Sequence, residues 1–130
     1  MALMTFREPN QVRWVGIRPG HRGTQILLDI DVGNNTQILI DGTQVTITYL
    51  TSWFMGLVRD GAYSGAMEIT ENDDTHVCWL GYIDTLALQI GRHITQDLTF
   101  PIEMPVGYKL KVVAAGAGSQ VYGYVHGWEE

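Results

Sequence analysis

"TQILLDIDVGNNTQILIDGTQVTITYL", residues 24–50, holds three short apolar runs separated by turn signals. In the first, Ile26, Leu28 and Ile30 recur at every second position, so they fall on one face of an extended chain. "GNN" at 33–35 supplies residues that tolerate positive φ, and Asp41-Gly42 is a hairpin turn signal. In the third run Val45, Ile47 and Tyr49 stand opposite Thr46, Thr48 and Leu50, the pattern of a strand with one wet face.

The rhythm continues outward. "TSWFMGLV" carries the third run to residue 58, "RDGAYSG" reads as a turn, "AMEIT" as a short strand and "ENDDT" as an acidic loop. In "HVCWLGYI", residues 76–83, Val77, Trp79 and Gly81 share one face and Cys78, Leu80 and Tyr82 the other, so both look partly buried. "DTLALQIGRH" stays open between a strand and a helical turn. A further run ends near Pro101, and "MPVG" turns the chain with Gly107 better suited than Val106 to positive φ. A strand over 108–114 and a "GAGS" turn precede the closing strand "QVYGYVHGWEE". There Val121, Gly123, Val125 and Gly127 face one way, Tyr122, Tyr124, His126 and Trp128 the other. Turn signals roughly every 8–15 residues and no fixed repeat predict an all-β fold: one antiparallel β-sandwich of jelly-roll type over residues 24–130. Residues 1–23, punctuated by Pro9, Gly16, Pro19, Gly20 and Gly23, read as an extended N-terminal arm, although "VRWVGI" could add as an edge strand.

Charge divides along the same boundary. The chain of 130 residues carries −6, but Arg7, Arg13, Arg18 and Arg22 against Glu8 give residues 1–23 a charge of +3, which leaves −9 on residues 24–130. An acidic body repels nucleic acid and anionic membrane, so neither is expected as a partner; the arm is the basic element available to an acidic protein surface. Forty-five per cent hydrophobic residues suffice for one core. Met1–Asn10 lacks the pattern of a signal peptide, and no stretch approaches the 18 or so apolar residues of a membrane helix, so manufacture in a host cytoplasm is the default.

Catalytic patterns are missing from the sequence. Asp73, Asp74 and His76 lie close together but match no ligand signature, and a solvated acidic loop explains them without a metal. Ser52, Ser64 and Ser119 lack a nucleophile-elbow context, and Cys78, flanked by large apolar residues, reads as an inert thiol. No cofactor is called for. The aromatics Trp14, Trp53, Trp79, Trp128, Tyr122 and Tyr124 could form a sugar-stacking platform, though core packing and subunit contacts account for the same residues. Gly123 and Gly127 imply a close neighbour at the last strand, either a subunit or another part of this chain.

"TFPIEMPVGYKLKVVAAGAGSQVYGYVHGWEE" resembles the C-terminal half of small β-sandwich proteins of tailed bacteriophage particles, and "EPNQVRWVGIRPGHRGTQI" resembles the arm that precedes such sandwiches. The resemblance covers about half the chain. It implies a non-enzymatic capsid decoration, or cement, protein of the virion, often trimeric, that binds a major capsid protein or another virion protein. By the same implication Arg13, Arg18 and Arg22, with Trp14 as apolar anchor, are the gripping residues; the alternative is an arm that folds back along its own domain. The competing expectation is a carbohydrate- or receptor-binding module of a tail fibre or spike.

Overall fold

The computed structural model describes residues 23–58, 63–85 and 92–130. Among them are eight strands: β1 Thr24–Val32, β2 Thr36–Asp41, β3 Thr48–Val58, β4 Tyr63–Thr70, β5 His76–Thr85, β6 His93–Met104, β7 Lys109–Ala115 and β8 Gln120–Glu129. They form two antiparallel four-stranded sheets with the orders β1-β8-β3-β6 and β2-β7-β4-β5. First pairs with last, second with seventh, third with sixth and fourth with fifth. This is a jelly roll: one long hairpin of four strand pairs, closed at residues 71–75 and rolled into a sandwich. The expected arm and its residues Arg13, Trp14, Arg18 and Arg22 lie outside the described residues, as does most of "DTLALQIGRH".

Alternation builds the core. Ile30 and Val32 of β1, Val121 and Val125 of β8, and Met55 and Leu57 of β3 meet Met67, Ile69, Leu110 and Val112 from the other sheet, all with little or no exposed surface. Such close-packed apolar burial contributes roughly 1.5–3 kcal/mol per large side chain.

Three local expectations are corrected. Asp41-Gly42 makes no hairpin, because β2 pairs with β7 while β3 lies in the other sheet. Gly42 does take φ +87°, and the Asp41 carboxylate accepts from Thr43 N at 3.0 Å and Thr43 Oγ1 at 2.6 Å, but this turn carries the chain across the sandwich. "GNN" and "GAGS" are corners of the same kind, and they brace each other: Asn34 N donates to Ser119 Oγ at 3.1 Å, and Gly116 N donates to Asn34 Oδ1 at 3.2 Å. Among the described residues only the "ENDDT" loop joins consecutive strands that pair with each other.

The third run also changes phase. Val45 is 88% exposed, and the inward residues at the start of β3 are Thr48 and Leu50, opposite to the face expected. A bulge between Leu50 and Ser52 then moves the inward set to Trp53, Met55 and Leu57. Across from it, residues 98–101 of edge strand β6 fall between the pairs Asp97–Ser52 and Ile102–Leu50, which accommodates Pro101. β6 therefore runs past Pro101 to the buried Met104. Two bulges in β5 likewise break its simple alternation, leaving Val77, Trp79 and Tyr82 exposed. At "MPVG" the expectation holds, with Gly107 at φ +90° and Tyr108 N bonded to Pro105 O at 3.2 Å.

Candidate functional site

The outer face of the β1-β8-β3-β6 sheet is a grid set by register. One row reads Asp29, Tyr124, Phe54, Thr95; the next reads Asp31, Tyr122, Gly56, His93; the third reads Leu27, His126, Ser52, Asp97. Leu27, Tyr122 and Tyr124 are 61%, 42% and 39% exposed, respectively, large values for residues of their size.

Gly56 shapes the floor of this face. A Cβ there would lie 2.5 Å from Tyr122 Cζ, so the missing side chain lets the Tyr122 ring lie across β3. Phe54 is the hub: its ring centroid is 5.7 Å from those of Tyr122 and His93 and 6.0 Å from that of Tyr124, whose plane is 20° from parallel. Tyr124 in turn contacts the His126 ring at 5.3 Å. The result is a shallow depression of about 750 Å³ with an aromatic floor and two carboxylates, Asp29 and Asp31, along its β1 side. Gln120 Nε2 donates to Asp31, whereas the Asp29 carboxylate has no hydrogen-bond partner among the described residues.

The six-residue aromatic platform drawn from the sequence is not assembled. Trp53 is in the core, Trp79 lies on the other sheet and Trp14 is outside the described residues. Trp128 is 5% exposed, covered by Tyr49 in a stacked pair at 4.8 Å. Only Tyr122 and Tyr124 remain, and their partners Phe54, Asp29 and Asp31 come from strands that the sequence does not align. The glycines of β8 have their neighbour within the chain: a Cβ on Gly123 would stand 1.9 Å from Phe54 O, and one on Gly127 2.1 Å from Tyr49 O.

Asp73, Asp74 and His76 do not converge. Asp74 bridges Lys111 Nζ at 2.8 Å and Lys109 Nζ at 3.0 Å, which holds its carboxyl below the usual range. Asp73 is lowered by its bonds from Thr75, and His76 Nδ1 meets Glu68 Oε2 at 2.7 Å under the Trp79 ring. Among the described residues no three His, Cys, Asp or Glu side chains are grouped to hold a metal. Burial pushes the Cys78 thiol up, away from the reactive thiolate.

The solved structures similar to this chain include two of one virus. One is a structure of infectious bursal disease virus Gt strain, 14% identical, matching over 82% of this chain and 33% of that chain with a TM-score of 0.36. The other, of the Gx strain, is 13% identical over 80% of this chain and 29% of that chain, also with a TM-score of 0.36. The chain thus spans about a third of the length of the chains it matches. No protein-family model and no curated protein matches it. The fold assignment rests on strand order alone.

Proposed function

We propose that the protein is a non-enzymatic structural component of a virus particle, a decoration or cement protein of phage type that stabilises the shell through oligomer and arm contacts. The observation that carries this reading is the jelly-roll strand order, an architecture shared by viral capsid, lectin and cupin domains. That is an argument by analogy of fold. The resemblance of residues 99–130 to phage sandwich proteins selects within the set, and the opposite charges of arm and body supply an attachment mechanism. Residues 1–23 are the arm, Arg13, Trp14, Arg18 and Arg22 its gripping side chains, and a trimer gains avidity because the first contact raises the effective concentration of the rest.

The test is co-sedimentation with capsids. The full chain carrying Arg18→Glu with Arg22→Glu keeps its circular dichroism spectrum and loses attachment; normal attachment by that variant refutes the arm. A second reading, a carbohydrate- or receptor-binding module, is favoured by the Phe54–Tyr122–Tyr124 floor beside the open carboxylate of Asp29. Its probe is Tyr124→Ala on a glycan array, not Trp128→Ala, because Trp128 lies beneath Tyr49.

A further inference from the structure

We infer that the outer face of the β1-β8-β3-β6 sheet binds a neutral, extended oligosaccharide of equatorially substituted pyranoses, laid along β8 over Tyr122, Tyr124 and Phe54. The inference rests on the carbohydrate-binding reading above, and it names the class of sugar and the way the chain lies.

The face is a strip rather than a single pocket. Tyr122, Tyr124 and His126, all exposed, hold alternate positions of β8, so one ring follows the next at roughly 6.6 Å along the strand. The depression of about 750 Å³ over the tyrosines meets a second one of about 410 Å³ at Leu27 and His126, and the second extends to Gln25 and Thr51. Together they follow β1 from Asp31 to Gln25, roughly 20 Å of extended chain. A lone sugar or a small cation fills a fraction of that length; a chain of several sugars occupies it.

Hydrogen-bonding groups stand on both flanks of the strip. Register places Asp29 and Asp31 on the β1 side, and His93, Thr95 and Asp97, all exposed, on the β6 side. An apolar floor between two polar rails fits a body with C–H faces and a hydroxyl edge. A pyranose with equatorial substituents is such a body: its axial C–H groups rest on the rings, and its hydroxyls reach sideways to carboxylates, the Thr95 hydroxyl and imidazole.

The same features work against other ligands. The three rows of the face hold three aspartates and no Lys or Arg, so phosphate- or sulfate-bearing chains are repelled. A guanidinium or ammonium uses one ring and one carboxylate, and on an open face water and salt screen that attraction. An extended peptide would pair along the β1 edge, but beside Asp29 and Asp31 Gln37 holds it: Nε2 donates to Asp29 O at 3.1 Å, and Oε1 accepts from Asp31 N at 2.8 Å. Among sugars the shallow floor selects further. An axial hydroxyl holds a ring off the aromatic surface, and a helical chain leaves a straight strip after a residue or two.

The test titrates the full-length protein with cellohexaose and chitohexaose by calorimetry, with maltohexaose, a heparin hexasaccharide and a hexa-arginine peptide as comparators. Saturation-transfer NMR reads which sugar protons meet the protein. Saturable binding of cellohexaose or chitohexaose is expected, indifferent to added salt, with the strongest transfer to ring C–H protons. Tyr124→Ala should weaken it tenfold or more, Asp29→Asn with Asp31→Asn should weaken it too, and Trp79→Ala, on the other sheet, should leave it unchanged. Gly56→Ala keeps every ring but sets a methyl 2.5 Å from Tyr122 Cζ, so it should lift that ring and weaken binding, with circular dichroism reporting that each variant is folded. Failure of both sugars to bind, or binding unchanged by Tyr124→Ala, overturns the inference. Binding of maltohexaose or the heparin fragment alone, lost in Tyr124→Ala, overturns the neutral equatorial class while the carbohydrate-binding reading stands. Binding of hexa-arginine alone overturns both in favour of a cationic partner. Capsid co-sedimentation reads the particle proposal separately.

Discussion

Deletion of Thr51 tests how the phase of β3 is set. The bulge at this residue lets Thr48 and Leu50 face inward on one side of it and Trp53, Met55 and Leu57 on the other. Without the extra residue one half must turn out. Expelling Trp53, Met55 and Leu57 would cost about 5–9 kcal/mol at roughly 1.5–3 kcal/mol per side chain. The cheaper response turns out Thr48 and Leu50, losing one buried leucine, about 1.5–3 kcal/mol, and the Tyr49–Trp128 stack, about 0.5–1.5 kcal/mol. The deletion is therefore expected to destabilise by about 2–4.5 kcal/mol, a shift in thermal midpoint of roughly 6–15 °C for a domain of this size. Urea unfolding followed by tryptophan fluorescence measures it, with the core residue Trp53 as an internal reporter. The control Thr51→Val keeps the bulge, removes only the bond from Thr51 Oγ1 to His126 O at 3.2 Å, and should cost about 0.5–1 kcal/mol. A deletion variant no less stable than this control would refute the reasoning.

Gly123→Ala places a Cβ 1.9 Å from a backbone carbonyl at φ +149° and should prevent β8 from pairing with β3, whereas Gly107→Ala, at φ +90° with open space around it, should cost only about 1–2 kcal/mol; urea midpoints compare the two. Asp41, Asp73 and Asp74 are all held below the usual carboxylate range, so their contribution is present above the unfolded pKa and is lost as pH falls through the folded values. An acid titration of the thermal midpoint should decline there, and less steeply in Asp74→Asn. Cys78 should react slowly with a thiol-specific disulfide at neutral pH and much faster in urea, a difference that a colorimetric time course resolves.

The parts of the fold readable in the sequence are those whose information is local. β1 runs its full length against β8 without a bulge, so its inward residues, Ile30 and Val32 among them, follow from counting by two. β3 defeats that counting because one inserted residue leaves no mark on composition. Gly42, Asn34 and Gly118 announce positive φ correctly, yet φ at a corner does not state whether the next strand joins the same sheet or the opposite one. Of the candidate site, the Tyr122 and Tyr124 alternation is visible in the chain. Their juxtaposition with Asp29, Asp31 and Phe54 is not, because it depends on the register of strands remote in sequence. Counting tryptophans misleads for the same reason, since Trp53 and Trp128 differ from Trp79 only in which neighbours cover them.

The nested pairing has a consequence for how the chain comes off the ribosome. β1 finds its partner only when β8 has been made, and Thr24 and Glu129, joined in register, are separated by roughly a hundred residues of synthesis. At about 5–20 residues per second that is a wait on the order of 5–20 s. During it the first-made strand holds Ile30 and Val32 with nothing from its own sheet to cover them. Such high-separation contacts also make for slow folding. The pair that can close first is β4 with β5, across the acidic loop, and its negative charge keeps the early hairpins of neighbouring nascent chains apart.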